Sequence, residues 1–351
     1  MNFQHSEEQQ RFRDSLRAAL SRAGEDGAVA ALSDLGVFGL TVTEAFGGSA
    51  LGMVEGAIVL EEAGRSGLRY PLAETLLVAG TIVSDQPETV TQMLTGDLPV
   101  SVAVSGRLSR HRQRLAGSLT FADTRAAALY VASVDEHSLA CLSQTITAPR
   151  IPRAAIEPDE QTFSVAIDVA TSDAWVVTLP HHEKRLAILR CAELLGAAEQ
   201  CFDLAIRYLK DRTQFGQAIG ANQSLKHLAA DNFLALENVR VSVDYAAAMM
   251  DAANAMVDDE TMRREADTAV HVMLAYVPRA TREIAEAAIQ FHGGIGLTWE
   301  YPLNRYLRRI VRIGTMLGAV ALHRHALLDL MCPEQANSSA MADAPQGWTT
   351  A

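Results

Sequence analysis

The feature that most constrains the fold of this chain is a change in apolar periodicity that occurs twice. From Leu195 to Leu209 and from Leu236 to Met250, apolar residues recur every three or four positions, which is typical of helices with one buried face. Between residues 98 and 180, apolar residues instead form short β-type runs separated by turn residues. Helical spacing also occupies Phe12 to Leu20. The pattern therefore predicts helices, then strands, then helices.

We accordingly predict an α+β fold that is mainly α, divided into four parts. These are an N-terminal helical domain at residues 1–97, a small middle β-domain at 98–180, a C-terminal four-helix bundle at 181–332 and a disordered polar tail at 333–351. The third helix of the bundle contains Pro278, which is expected to kink or interrupt it. The fourth is expected to run from about Leu303 to Leu330.

Composition and charge exclude several function classes. The chain has 30 Lys and Arg against 42 Asp and Glu, a formal net charge of −12. It contains no long basic stripe, so nucleic acid and anionic membranes are poor partners. It has neither an apolar run of about 18 residues nor the start of a signal peptide. The four cysteines lack metal-ligand spacing. We expect a cytoplasmic protein with free thiols, no metal site and no membrane segment.

Two segments where helical patterns break have the composition of a nucleotide-binding site. One is Arg212–Gly216, with the sequence RTQFG, and the other is Gln290–Gly296, with the sequence QFHGGIG. Arginine provides a planar set of donors for a pyrophosphate, and glycine lets the main chain approach a ligand closely. The alternative is that the first segment is a helix end stopped by glycine and the second is an ordinary turn.

The wider sequence around both segments resembles the acyl-CoA dehydrogenase family. RYLKDRTQFGQAIGANQSLKHLAAD and AAIQFHGGIGLTWEYPLNRYLRR contain the family patterns R-x-x-F-G-x-x-I-x-x-x-Q and Q-x-x-G-G-x-G-(x)4-Y-P. LSDLGVFGLTVTEAFGGSALGMVEGAIVLEEAGRS is similar to the opening helical domain of that family. The likeness covers roughly residues 5 to 330. It implies the family fold and an FAD-dependent oxidation of an acyl-CoA thioester to the 2,3-enoyl-CoA.

That reaction requires a glutamate to remove the proton next to the thioester carbonyl, and both positions where the family places it are changed here. Aligned with the family motifs, these positions are Leu317 and Leu186, neither of which accepts a proton. Glu193 is one candidate for a relocated base, and Glu183, one helical turn before Leu186, is another. His323 and His325 are expected to pack or to face solvent.

The resemblance implies that the residues for the ADP half of FAD are kept. Their family role is to reach across a dimer interface to the cofactor of the neighbouring subunit, and they are Arg212, Phe215, Gln223, Gln290, Gly293 and Gly294. Gln214 stands where the family usually has a hydroxyl residue. The β-domain, by contrast, lacks the two family motifs that contact the flavin ring.

These departures lead to the hypothesis of a non-catalytic subunit in a heteromeric acyl-CoA dehydrogenase, an α2β2 heterotetramer. Its partner is expected to be a longer homologue that carries the catalytic base. The expected substrate is an acyl-CoA of bulky, steroid-derived or other lipid type. The expected electron acceptor is an electron-transfer flavoprotein or similar protein. Two alternatives remain open: a self-sufficient homo-oligomeric dehydrogenase with Glu193 as relocated base, and a non-enzymatic acyl-CoA-binding or scaffold homologue.

Overall fold

The structure is a computed structural model that describes residues 5–82, 87–123, 127–142, 148–157, 160–299 and 301–332. The tail predicted to be disordered, at residues 333–351, lies outside the described residues. Mainly helical segments flank a set of β-strands in the order that the sequence predicts. The expectation of an α+β fold that is mainly α is therefore confirmed.

Four helices form the N-terminal segment: α1 (Glu7–Asp34), α2 (Met53–Ser66), α3 (Leu72–Ile82) and α4 (Pro87–Leu94). α1 begins with the expected capping box, because Ser6 accepts from the backbone of Gln9 while the Gln9 side chain accepts from the backbone of Ser6. Gly24, with φ 64°, breaks the helical geometry inside α1. The sequence thus marked the start of α1 correctly, but not the break within it.

In the described residues that follow, eight strands form two four-stranded sheets. They are β1 (Val100–Val102), β2 (Ser109–His111), β3 (Arg114–Asp123), β4 (Leu129–Asp135), β5 (Ser138–Leu142), β6 (Ile151–Arg153), β7 (Gln161–Ala170) and β8 (Ala174–Thr178). The first sheet has the order β1-β4-β5-β8, and the second has the order β2-β3-β7-β6. All pairings are antiparallel except that of β1 with β4.

Alternation along β4 explains how the sheets pack. Tyr130 belongs to an apolar cluster between the two sheets, whereas its neighbour Val131 belongs to the main core shared with the helices. In the cluster, Phe121 makes an edge contact with Tyr130 at a centroid distance of 4.9 Å, and Phe163 lies 5.7 Å from Phe121. Because successive side chains point to opposite faces of a strand, the first sheet is buried on both sides.

Five helices and one hairpin form the C-terminal segment. They are α5 (His182–Asp211), β9 (Thr213–Gln214), β10 (Gln217–Ala218), α6 (Gln223–Ala255), α7 (Glu260–His292), α8 (Leu303–Met316) and α9 (Val320–Met331). The apolar core is continuous from the N-terminal helices into this bundle.

Of the predicted kink or interruption at Pro278, the interruption does not occur, and the prediction of one continuous last helix is wrong. α7 runs through Pro278 without interruption, and Pro278 packs near Gly314 of α8. Tertiary contacts thus stabilise α7 although the proline removes one backbone hydrogen bond from it. The last helix is divided instead, because Gly318 has φ +85° and separates α8 from α9.

Helices α2 and α5 cross so closely that side chains are excluded at the contact. A Cβ atom added to Gly196 would lie 1.8 Å from the carbonyl oxygen of Glu61, and one added to Gly64 would lie 2.1 Å from that of Glu193. These two glycines are required because any larger residue would push the helices apart. The crossing fixes α5, and with it the residues that α5 contributes to the candidate sites.

Candidate functional site

The RTQFG segment is a tight hairpin that projects from the end of α5. β9 and β10 pair in antiparallel fashion, and Phe215 and Gly216 form the two-residue turn with φ values of 50° and 80°. Such turns require left-handed backbone at both central residues, which is why glycine occupies one of them. Phe215 is 102% exposed. A phenyl ring held in a strained turn and facing solvent indicates a contact surface for another molecule.

The second motif lies at the same end of the bundle, and an aromatic stack joins the two. Tyr208, in the last turn of α5, stacks on His292, the last residue of α7, with ring centroids 4.3 Å apart. The backbone N–H of Arg212 donates to the carbonyl of Tyr208 at 2.9 Å. The hairpin is thereby anchored beside the glycine turn.

His292 is held between two further partners. Its Nδ1 lies 2.7 Å from the carbonyl of Ala288, and its Nε2 lies 2.9 Å from the hydroxyl of Tyr301. Since a carbonyl only accepts, Nδ1 carries the proton, and Nε2 accepts from Tyr301. Burial lowers the pKa of His292, so the ring is neutral. Sequence reasoning missed Tyr208, His292 and Tyr301 as a unit because they are distant in sequence.

All seven residues proposed from the sequence to contact the ADP half of FAD are exposed. They lie at the end of α5, in the hairpin, at the start of α6, at the end of α7 and in the turn after it: Arg212, Gln214, Phe215, Gln223, Gln290, Gly293 and Gly294. A Cβ atom added to Gly216, Gly293 or Gly294 would meet no atom within 4 Å. These glycines therefore border open space and not a packed neighbour.

This surface fits a nucleotide diphosphate on chemical grounds. It presents a guanidinium, amide donors and bare backbone, which are groups that bind pyrophosphate. The space beside its glycines would admit a ligand at main-chain distance. Within the described part of the chain, no atom lies within 4 Å of a Cβ added to Gly293 or Gly294, so the main chain is open to a ligand there.

A separate cavity of about 520 Å³ lies at the opposite end of α5, within the size range of small-molecule sites. The loop after β1, the first turns of α5, the middle of α7 and the junction of α8 with α9 line it. Leu186 and Leu317, the two positions of the family glutamate, both face this cavity. Two alignment positions that are far apart in the sequence thus converge on one site, with an apolar side chain at each.

The other carboxylate candidates are engaged in ion pairs. Glu193 is 8% exposed and accepts from Nε and Nη2 of Arg309 at 2.7 and 2.5 Å, and it is not among the residues that line the large cavity. Glu183 does line the cavity, but it pairs with Arg107 at 2.7 Å. In each case a guanidinium occupies the carboxylate oxygen that a substrate proton would have to reach. The geometry thus speaks against Glu193 as a relocated base.

Two histidines from different helices also line this cavity. His271 and His323 line the cavity, with their Nδ1 atoms 3.2 Å apart. The sequence predicted a packing or solvated role for His323, and His271 was missed because no motif contains it. His325 is exposed and lies 3.9 Å from Asp329.

The cavity and the exposed motif are too far apart to serve one ligand within a chain. Leu186 and Arg212 lie near opposite ends of α5, roughly 40 Å apart at 1.5 Å per residue. Arg212 is therefore beyond side-chain reach of the cavity beside Leu186. Within the ranges that the structure describes, no helix is long and apolar enough to cross a bilayer, and no cluster of potential metal ligands occurs.

Comparisons with known proteins agree with this architecture. The profile of the acyl-CoA dehydrogenase C-terminal domain matches residues 182–330, and that of the N-terminal domain matches residues 6–87. The acyl-CoA dehydrogenase IpdE2 of Mycobacterium tuberculosis is 30% identical over 78% of this chain and 77% of its own length.

Solved structures have the same fold. The ChsE4–ChsE5 complex from Mycobacterium tuberculosis aligns with a TM-score of 0.78 and 17% identity, covering 95% of this chain and 99% of that chain. The Tcur3481–Tcur3483 steroid acyl-CoA dehydrogenase aligns with a TM-score of 0.76 and 20% identity, covering 94% and 99%. At such identities the likeness establishes the fold alone. With both domain profiles and a relative of similar length matched, the chain belongs to the acyl-CoA dehydrogenase family of flavoprotein oxidoreductases.

Proposed function

We propose that this chain is the non-catalytic subunit of a heteromeric, FAD-dependent acyl-CoA dehydrogenase. Its exposed motif contacts the ADP half of an FAD whose flavin ring lies in a partner subunit. The partner is a longer homologue that carries the catalytic base. The observation that supports this most directly is the separation of roughly 40 Å between the exposed Arg212 motif and the cavity lined by Leu186 and Leu317, the leucines aligned with the two alternative positions of the family glutamate.

The roles of this chain's residues follow from their exposure. Arg212 would bind the pyrophosphate with two parallel hydrogen bonds. The amides of Gln223 and Gln290 would orient the nucleotide, and Gly293 and Gly294 would admit it at main-chain distance. Phe215 would pack on the partner and exclude water from the diphosphate. When bound, FAD supplies the hydride acceptor.

The proposed substrate is an acyl-CoA with a bulky, steroid-derived acyl group, and 2,3-desaturation is the proposed reaction. One structural neighbour, a steroid acyl-CoA dehydrogenase, favours this substrate. Another neighbour is a complex of two differently named chains and favours a heteromeric enzyme. We propose an electron-transfer flavoprotein or similar protein as acceptor and a cytoplasmic α2β2 assembly. A self-sufficient enzyme is disfavoured because Glu193, its proposed base, is paired with Arg309.

The test is to purify the chain alone and after co-expression with a full-length homologue that has the glutamate. We expect a flavin absorption band and acyl-CoA dehydrogenase activity in the co-purified pair, with a mass that corresponds to two copies of each subunit. The lone chain is expected to be colourless and inactive. Stoichiometric FAD together with turnover by the lone chain would refute the proposal, as would a homologue that neither associates nor binds FAD with it.

A further inference from the structure

The cavity beside Leu186 and Leu317 contains a histidine pair that two different helices bring together. His271 lies in the middle of α7 and His323 in the first turn of α9. Their rings have a centroid distance of 5.5 Å, and their Nδ1 atoms are 3.2 Å apart. Both line the cavity. The break at Gly318 turns α9 back so that His323 reaches α7.

The backbone of Leu317 fixes the tautomer of this pair. Nε2 of His323 lies 2.7 Å from the carbonyl oxygen of Leu317. A carbonyl can only accept, so this Nε2 carries a proton. When His323 is neutral, its Nδ1 has a lone pair and accepts from the Nδ1–H of His271. His271 must then carry its own lone pair on Nε2.

That Nε2 is available to a ligand. No group within the described residues forms a hydrogen bond to it, and it is not among the buried polar atoms that lack a partner. The cavity that His271 lines also has apolar side chains from α5, α7 and α8, including Leu186, Leu274 and Met316. Charged side chains also line it: Arg107, Glu183, Lys184 and Arg190. A proton acceptor therefore lies in a cavity whose walls are partly apolar and partly cationic.

Adding one proton to the histidine pair changes Nε2 of His271 from a hydrogen-bond acceptor to a donor. If the proton binds His271, Nε2 becomes a donor directly. If it resides on His323, the Nδ1 of His271 must accept, and its Nε2 again carries hydrogen. In either arrangement the Nε2–H of His323 still donates to the carbonyl of Leu317. The pair can thus take up a proton and release it.

The surroundings of His271 lower its pKa and so favour its neutral form. Burial lowers the pKa of His271 most strongly, and the nearby His323 and Lys184 lower it further. Asp267 acts in the opposite direction, but its carboxylate is 2.5 Å from the ammonium of Lys184. These three groups lie on α9, α5 and α7, and the other titratable or charged residues that line the cavity are Arg107, His182, Glu183 and Arg190.

We propose that Nε2 of His271 is the proton acceptor of a ligand site in this chain's own cavity, with His323 as the residue that positions it. The ligand class is an apolar molecule with one weakly acidic O–H group. In the transfer, the O–H bond breaks, an N–H bond forms at Nε2, and the electron pair stays on the ligand oxygen. No oxidant or reductant is involved. The proposal goes beyond the non-catalytic role proposed above and holds whether or not the chain has a partner.

Nuclear magnetic resonance of the full-length chain labelled with ¹⁵N-histidine tests the tautomer. We expect wild-type His271 at about pH 8 to be protonated at Nδ1 and unprotonated at Nε2. In His323→Phe the acceptor for Nδ1–H is lost, and this preference is expected to disappear. A proton on Nε2 of His271 in the neutral wild-type protein would overturn the assignment.

Binding of 4-nitrophenol tests the ligand site, because its phenolate absorbs visible light. At a pH below the pKa of the free probe, the wild-type chain is expected to bind it saturably with growth of the phenolate band. His271→Phe and His271→Gln should weaken binding about tenfold or more and abolish the band, whereas His325→Phe on the exposed face should not. Equal binding by the His271 variants, or no saturable binding to the folded wild type, would refute the site.

Discussion

The ring of Tyr208 stacks on the ring of His292 at a centroid distance of 4.3 Å. This contact joins the ends of α5 and α7 and so unites two motifs that are about eighty residues apart in the sequence. Neither residue is among the proposed cofactor contacts. Their role is to hold the hairpin and the glycine turn at one end of the bundle.

Replacing Tyr208 with alanine should therefore loosen the proposed cofactor surface. Loss of the aromatic contact is expected to cost about 0.5–1.5 kcal/mol and to lower the FAD content of the assembled enzyme at limiting cofactor. Tyr208→Phe keeps the ring and serves as the matched control. Absorbance spectroscopy of the purified complexes measures the result, and equal FAD content in both variants would contradict this role.

The protonation of His292 predicts a pH dependence of stability. Burial lowers its pKa in the folded chain, so below its usual value of about 6.5 the unfolded chain binds the proton first. Stability is then fully present above this value and decreases as pH falls towards the lowered one. Thermal unfolding from about pH 7.5 to 5.5 should show the loss. His292→Gln should reduce the slope, and an unchanged slope would argue against this assignment.

Arg212→Ala should weaken FAD binding in the heteromeric complex without unfolding the chain, because the side chain is exposed. A lost charge-assisted contact is worth roughly 1.5–3 kcal/mol, or about ten- to hundredfold in affinity. Arg110→Ala on the exposed strand β2 removes the same charge elsewhere. Titration of the apo-complex with FAD distinguishes the two, and equal affinities would rule out the proposed contact.

Gly294→Val should lower FAD binding without lowering the stability of the fold. An added Cβ meets nothing within 4 Å in the chain alone, so the melting temperature should stay close to that of the wild type. In the complex, the side chain would occupy space needed by the nucleotide, and FAD content should fall. Gly196→Ala is the opposite case, because its Cβ would lie 1.8 Å from the carbonyl oxygen of Glu61. A stable Gly294→Val complex with full FAD occupancy would contradict the proposed approach.

Glu193 should prove important for stability and not for proton abstraction. Removing it by Glu193→Ala leaves the buried guanidinium of Arg309 without its partner, which should cost about 3–5 kcal/mol of unfolding free energy. Denaturant titration measures this loss. The double variant Glu193→Met with Arg309→Met should recover most of it, because no charge is then buried.

The double variant also tests whether Glu193 acts as the catalytic base. We expect a complex with this substitution to retain dehydrogenase turnover once it is folded. Loss of turnover in a folded complex with normal FAD content would identify Glu193 as a participant in the chemistry.

Much of the fold could be predicted because its signals are local. The capping box involves only the four residues that begin at Ser6, and the apolar spacing typical of helices or strands repeats within each element. The interruption predicted at Pro278 and the continuous helix predicted through Gly318 are both absent, for a common reason. Proline usually disturbs a helix and glycine is often tolerated in one, but packing on neighbouring helices decided both cases otherwise.

By itself the sequence determined the family and the order of helical and β segments, and it predicted the cofactor-like motifs and a leucine, Leu186 or Leu317, at each of the two positions of the family glutamate. These features are carried by residue identity and short spacing. Only the tertiary structure decided that the two leucines line one cavity, that Glu193 forms an ion pair with Arg309, and that the ring of His271 contacts that of His323. Such relationships join residues from separate helices, and their distances depend on how the helices pack, which no local pattern specifies.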